Sequence, residues 1–111
     1  MAVATARISL EFGEVMLLSV KQRLYLKGLA HGLNPVVMIG QKGLTPTVVK
    51  EIDQNLLAHE LIKIRVLSDD REYRESLIEP ICEKTQANFI AKLGKLLIFY
   101  RPNKDSKIKL G

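Results

Sequence analysis

Two glycines stand three positions apart between an apolar segment and a helical pattern, in the loop Gly40-Gln41-Lys42-Gly43. Glycine adopts backbone conformations that other residues avoid, and it leaves room for another chain to approach closely. Gln41 and Lys42 supply hydrogen-bond donors and a positive charge. A helix that begins directly after such a loop offers free N–H groups and a favourable dipole to an anion. The loop therefore fits a sugar-phosphate backbone.

The spacing of these glycines matches neither the ATP-binding P-loop nor the dinucleotide-binding fingerprint. A closer parallel is the loop with which KH domains hold four nucleotides of a nucleic-acid backbone. Taken alone, the four residues also fit a plain strand-to-helix turn, and this alternative stays open at the level of the loop itself.

Basic residues flank the loop in the sequence. Residues 21–50 contain no acid, whereas residues 69–83 are rich in Asp and Glu. Segregated charge of this kind is typical of a polyanion binder, although many basic faces are simply solvated. Three of the cations recur at four-residue spacing and predict a basic stripe along one helix. The candidate cations outside the loop are Lys21, Arg23, Lys27, His31, Lys50, Lys95 and Arg101.

Catalytic and metal-binding patterns are weak in this sequence. His31, His59 and Cys82 are its only histidines and its only cysteine, and no neighbouring residue completes a nucleophile–base pair or a metal-ligand spacing. We therefore expect a protein that is not an enzyme and that has no metal, no cofactor and no small-molecule substrate. The single cysteine cannot form an internal disulfide, which favours the cytoplasm.

Length and composition predict one soluble domain. The chain has 111 residues, of which 47% are hydrophobic and 26% charged, with a net charge of +5. No apolar run approaches the roughly 18 residues that span a bilayer, so we expect no membrane partner. We expect a monomer with a loosely ordered N-terminal extension over residues 1–15, a domain over 16–103 and a basic tail over 104–111.

Capping residues and hydrophobic periodicity predict the first elements. A capping box at Ser19 and Gln22 starts a helix, which we expect to run to about Leu33. The apolar segment Val36–Ile39 follows and predicts a central strand covered on both faces. The apolar side of the first helix would consist of Leu26, Leu29, Ala30 and Leu33.

Similar signals predict a second helix and a second strand after the loop. Thr45 and Pro46 fit the N-cap and first position of a helix that ends near His59. Apolar residues then alternate with polar ones over Leu61–Leu67, which predicts a strand with one solvated side. That solvated side would carry Lys63 and Arg65.

The C-terminal part predicts a third helix and a hairpin. Asp69 or Asp70 caps the helix, and Pro80 should kink or split it. Gly94-Lys95 suits a tight turn between two strands. The resulting order is α-β-α-β-α-β-β, which predicts a single α/β domain, a two-layer type of sandwich with a mixed four-stranded sheet.

Several segments together resemble a known family, the CRM domain (chloroplast RNA splicing and ribosome maturation), and most of all its stand-alone bacterial form. They are LKGLAH at Leu26–His31, the loop Gly40–Gly43, HELIK at His59–Lys63 and YRP at Tyr100–Pro102, within a match from about Leu17 to Leu110. Residues 1–15 have no counterpart in the short bacterial form, so we expect Met16 to be the natural start.

The resemblance implies an RNA-binding domain similar in fold to the C-terminal domain of translation initiation factor three. It implies a role with precursors of the large ribosomal subunit, with Gly40–Gly43 as the RNA-contacting loop and the basic first helix beside it. The sequence has few aromatic residues, so we expect phosphate and shape recognition of folded RNA. An adaptor that docks on a ribosomal protein or assembly factor through the acidic third helix is the alternative.

Overall fold

The computed structural model describes residues 18–103 and Ile108. The predicted extension over residues 1–15, and the predicted tail apart from Ile108, lie outside these described residues. The predicted order of helices and strands is confirmed, with the third helix divided in two. The elements are α1 (Val20–Ala30), β1 (Pro35–Ile39), α2 (Pro46–His59), β2 (Leu61–Val66), α3 (Arg71–Ser76), α4 (Ile78–Thr85), β3 (Asn88–Leu93) and β4 (Leu96–Tyr100).

The four strands form one mixed sheet in the order β1-β2-β4-β3. β1 is parallel to β2, while β4 is antiparallel to both β2 and β3. β1 therefore lies at an edge, and the prediction that it is covered on both faces is wrong. Val36 and Met38 are 41% and 58% exposed, whereas Val37 and Ile39 are buried. A run of apolar residues does not reveal this, because sheet order depends on pairings between distant segments.

Helices pack on both faces of the sheet. On one face, α2 and α4 contribute Ile52, Leu56 and Ile81 to a core that includes Ile64 and Phe99 of the strands. On the other face, α1 packs its Leu26 and Ala30 against a second cluster, which the strands supply as Leu61, Ile90, Ile98 and Tyr100. The predicted single α/β domain is thus confirmed, and α1 adds a helix on the face that α2 and α4 leave open.

The first helix begins as predicted but ends early. Ser19 Oγ accepts the Gln22 N–H at 3.1 Å, and Gln22 Oε1 accepts the Ser19 N–H at 3.0 Å, which is the capping box. α1 ends at Ala30 instead of Leu33. The predicted apolar side is accordingly wrong for Leu29 and Leu33, which are 41% and 39% exposed.

Lys63 of β2 binds the segment that follows α1, and the prediction that it is solvated is wrong. Its side chain is only 7% exposed, although alternation along β2 placed it on a solvated side. Lys63 Nζ donates to the Leu33 carbonyl at 2.9 Å and the His31 carbonyl at 3.5 Å. These carbonyls lie beyond the last residue of α1, so the ammonium satisfies backbone acceptors of the segment that connects α1 to β1. Arg65 is exposed as predicted.

The third predicted helix divides at Leu77. Asp70 caps α3, and its Oδ1 accepts the Glu72 N–H at 3.0 Å. α4 then begins at Ile78, so Pro80 falls in its first turn. Proline is tolerated there because the N–H groups of the first turn have no partner within the helix. The predicted split is confirmed.

Candidate nucleic-acid interface

A tight turn at the end of β1 forms the loop between Gly40 and Gly43. The Gly43 N–H donates to the Gly40 carbonyl at 3.0 Å, and the Thr45 N–H donates to the Gly43 carbonyl at 3.0 Å. Gln41 and Lys42 lie at the tip of the turn and are both exposed. The backbone of the loop is therefore held in place while its two polar side chains face solvent.

The loop leads directly into the N-terminus of α2. Thr45 Oγ1 accepts the Val48 N–H at 3.2 Å and Pro46 is the first helical residue, so the predicted cap is confirmed. The first turn contains no acid that would offset the positive end of the helix dipole. Lys50 is exposed one turn further on. Within residues 18–103 and Ile108, neither Lys42 nor Lys50 forms an ion pair.

The two glycines of the loop have different roles in the fold. Gly43 has φ +73°, and a Cβ on it would lie 2.9 Å from Tyr73 Oη. Gly40 is outside the left-handed region, and a Cβ on it would meet no atom within 4 Å. The fold thus requires glycine at position 43. At position 40 the missing side chain leaves open space beside the backbone.

The hairpin turn between β3 and β4 lies at the same end of the sheet as the loop. The Leu67 N–H donates to the Ile39 carbonyl and the Val66 N–H to the Lys95 carbonyl, each at 2.9 Å. Lys95, one of the candidate cations, is thus brought to the end of the sheet that carries the loop. Its Nζ, however, lies 2.6 Å from Asp69 Oδ1. This hydrogen bond and the lysine charge hold the pKa of Asp69 below its usual value, so Asp69 offsets the charge of Lys95.

The basic stripe of α1 lies apart from the loop. Lys63, which binds the carbonyls after α1, is paired with Pro35 at the start of β1, while the loop follows the end of that strand. The length of β1 separates them, roughly 16 Å at 3.3 Å per residue. Arg23 is half-buried and its guanidinium donates to the Phe89 carbonyl, so it belongs to the packing of α1 on β3. The exposed cations on this helix and its cap are Lys21, Lys27 and His31.

The family model of the CRS1 / YhbY (CRM) domain matches residues 18–101. The chain belongs to the CRM domain family. It is 48% identical over 93 residues to an RNA-binding protein of Haemophilus influenzae, covering 84% of this chain and 94% of that one. A Pseudomonas aeruginosa protein named as a probable RNA-binding protein is 32% identical, covering 79% and 85%.

Among solved structures, this CRM domain is similar to a hypothetical protein of Staphylococcus aureus described as a candidate RNA-binding protein. The TM-score is 0.76 at 33% identity, covering 86% of this chain and 100% of that one. The family and the mixed α/β fold predicted from the sequence are therefore confirmed.

Arg101 of this CRM domain lies at the end of the sheet opposite the loop. It follows Tyr100, which pairs with Leu61 at the start of β2. One guanidinium nitrogen donates to Asp53 Oδ1 and to the Thr85 carbonyl at 2.6 Å each, and the other donates to the Asp53 carbonyl at 3.2 Å. Arg101 thus joins α2, α4 and β4 and lies apart from the loop, so the structure does not bring this candidate cation together with Lys42. Sequence spacing gives no sign of this long-range contact.

The residues considered for catalysis are dispersed in the CRM domain. His31 and His59 are exposed at the ends of α1 and α2, and Cys82 is half-buried against the core. Burial raises the pKa of the Cys82 thiol, which keeps it protonated at neutral pH. The described residues contain no group of three or more His, Cys, Asp and Glu side chains that could hold a metal ion. None of the helices in the described part is long and apolar enough to cross a membrane.

Proposed function

We propose that this CRM domain binds RNA through the loop Gly40–Gly43 and acts in the assembly of the large ribosomal subunit. The observation that carries the proposal is Lys42, an exposed cation at the tip of a fixed turn that leads into the N-terminus of α2. RNA as the partner is supported by the names of the relatives. The ribosomal role, and with it the cytoplasm, rests on the resemblance to stand-alone bacterial members of the family.

The loop would hold RNA by its phosphates. Lys42 supplies a charge, Gln41 supplies amide donors, and the open space at Gly40 lets a sugar-phosphate backbone come close to the protein backbone. The start of α2 adds a dipole that favours negative charge. Contacts of this kind position RNA without reading its sequence, so binding should weaken steeply with salt.

A second set of contacts would come from the exposed side of α1. Lys27 and His31 lie roughly the length of β1 from the loop, about 16 Å. Lys21 lies about a turn and a half before Lys27 on the same helix. One phosphate cannot contact both regions. An RNA that uses both must therefore extend across that distance, which favours a folded RNA over a short single strand.

The test is the salt dependence of binding to fragments of large-subunit ribosomal RNA. Lys42→Ala should weaken binding and lower the slope of log K against log salt by about one, because one phosphate contact is lost. Lys84→Ala is the matched control: it removes the same charge from an exposed site at the end of α4. If both variants bind as wild type with an unchanged slope, the loop does not contact RNA.

Charge reversal on α3 and α4 separates this proposal from the adaptor alternative. Glu75 already pairs with Arg71 and Lys92, which hold its pKa below the usual value, so part of the acidic surface is neutralised within the domain. Glu75→Lys combined with Glu79→Lys should leave RNA binding intact or tighten it. Loss of association with pre-ribosomal particles in this variant, with RNA binding retained, would favour the adaptor.

A further inference from the structure

Four side chains form a row across the sheet at the end that carries the loop. Met38 of β1 is paired with Arg65 of β2, Arg65 with Leu96 of β4, and Leu96 with Leu93 of β3. Directly paired residues point to the same face of a sheet. All four therefore lie on the face that α1 partly covers, and we call this row the sheet platform.

The sheet platform is open to solvent because α1 packs on the other half of the same face. The α1 contacts are with Leu61, Ile98 and Tyr100, which lie toward the opposite end of β2 and β4. Met38 and Leu93 are 58% and 47% exposed, and Arg65 is also exposed. The result is a flat aliphatic surface with one cation in its middle.

Arg65 differs from the other arginines of the described chain. Each of those binds a carbonyl or carboxylate oxygen: Arg23 binds Phe89, Arg71 binds Glu75, Arg74 binds Ser68, and Arg101 binds Asp53 and Thr85. Within residues 18–103 and Ile108, the Arg65 guanidinium forms no hydrogen bond and no ion pair. A planar cation without an internal partner is available for an external one.

We propose that the sheet platform receives unpaired nucleobases of the same RNA whose backbone lies on the loop, an inference that rests on the proposed function. Met38 is two residues before Gly40, so the platform begins roughly 7 Å from the loop. Bases can stack on a guanidinium plane and lie against aliphatic side chains, whatever their identity. The platform would thus add contact to bases where the loop contacts only phosphates.

A second copy of this chain fits the sheet platform less well than RNA does. In a symmetric dimer the same patch meets itself, so two platforms packed face to face would bring two unpaired Arg65 side chains together. Like charges without counter-charges oppose such an interface. A polyanion with flat apolar surfaces, which is the chemistry of an unpaired RNA segment, matches both the charge and the shape.

Binding to two matched oligomers tests the proposal. One is a short oligouridylate, and the other is an abasic ribose-phosphate oligomer of the same length, which keeps the phosphates and lacks the bases. Wild type should bind the oligouridylate roughly ten-fold tighter, the size expected for stacking of a base. Arg65→Ala should remove this difference, and Arg65→Lys should remove most of it, because it keeps the charge and loses the plane. Urea unfolding of each variant checks that the fold is retained.

The controls keep the two proposals distinguishable. Lys42→Ala should weaken binding of both oligomers by the same factor, and Lys84→Ala should change neither. If wild type binds both oligomers equally but Lys42→Ala weakens binding, the proposal that the platform receives bases is overturned and the loop proposal stands. If neither oligomer depends on Lys42 or Arg65, both proposals fail. If sedimentation shows a wild-type dimer that Met38→Lys converts to a monomer, because a further cation is added to the patch, the sheet platform is a dimer interface and the proposal that it is an RNA site is overturned.

Discussion

Tyr73 places its hydroxyl where a side chain on Gly43 would begin. A Cβ at position 43 would lie 2.9 Å from Tyr73 Oη, and the glycine has φ +73°. The start of α3 thus packs against the loop that leaves β1, although the two are distant in the sequence. The loop is therefore a braced turn, and Gly43 is held by both its backbone angle and its neighbour.

Gly43→Ala should destabilise the domain by about 1 kcal/mol, because a side chain in the left-handed region is strained. Urea unfolding measures this change. In the Tyr73→Phe background most of the loss should remain, since the hydroxyl is the end of a side chain that can shift, whereas the backbone angle cannot. Complete recovery there would mean that the contact, and not the angle, requires glycine.

Gly40→Asp should leave the unfolding free energy nearly unchanged but weaken RNA binding. A side chain at this position meets no atom within 4 Å, so the fold accepts it. Its carboxylate would repel phosphate beside Lys42. Gly40→Asn is the matched uncharged control, and binding to ribosomal RNA fragments at low salt is the measurement. Equal binding by both variants and wild type would show that RNA does not approach Gly40.

Lys63→Met should lower the free energy of unfolding by about 1 kcal/mol, because it leaves the partly buried Leu33 carbonyl without its donor. The loss should appear first as fraying at the end of α1, which amide hydrogen exchange detects. Lys84→Met makes the same substitution at an exposed site and should leave the free energy of unfolding nearly unchanged. An unchanged free energy of unfolding in Lys63→Met would show that water or another group satisfies these carbonyls equally well.

Arg101→Ala should cost about 1–2 kcal/mol of stability, a figure reduced for the partial exposure of Asp53. It should leave the salt slope of RNA binding unchanged, because the guanidinium is occupied by Asp53 and Thr85. Arg101→Lys should recover little, since an ammonium lacks the fork that reaches both partners. A reduced salt slope with unchanged stability would instead make Arg101 an RNA contact.

Acid should weaken two surface ion pairs. Lys95 lowers the pKa of Asp69, and Lys92 with Arg71 lowers the pKa of Glu75. A carboxyl whose pKa is lower in the folded state stabilises the protein above its ordinary value, about pH 4, and this contribution is lost as pH falls through the lowered pKa. Unfolding followed from pH 6 downward should show the loss at about pH 4 and below. The double variant Asp69→Asn, Glu75→Gln should show a smaller loss of stability over this pH range. Added salt should reduce the loss in the wild-type protein.

Helix starts could be predicted from the sequence because they depend on neighbouring residues. Ser19 with Gln22, Thr45 with Pro46, and Asp70 each satisfy N–H groups within one turn, and all three caps occur in the structure. The hairpin turn is local for the same reason. The loop Gly40–Gly43 could likewise be located, because its position follows from the elements on either side.

Features set by distant segments could not be predicted in this way. The edge position of β1, the burial of Lys63 and the contacts of Arg101 all depend on which strands and helices become neighbours. Alternation in β2 indicated that Lys63 and Arg65 share a face, which is correct, but not that α1 covers one and leaves the other open. For the same reason, the sheet platform could not be predicted from the sequence.

The most direct test of RNA contact at the loop is a titration of labelled protein with a large-subunit ribosomal RNA fragment, followed by NMR of the backbone amides. We expect the largest shifts at Gly40, Gln41, Lys42 and Gly43 and at the first turn of α2, with smaller shifts along the exposed side of α1. Shifts confined to the acidic surface of α3 and α4, with the loop amides unmoved at saturation, would contradict it.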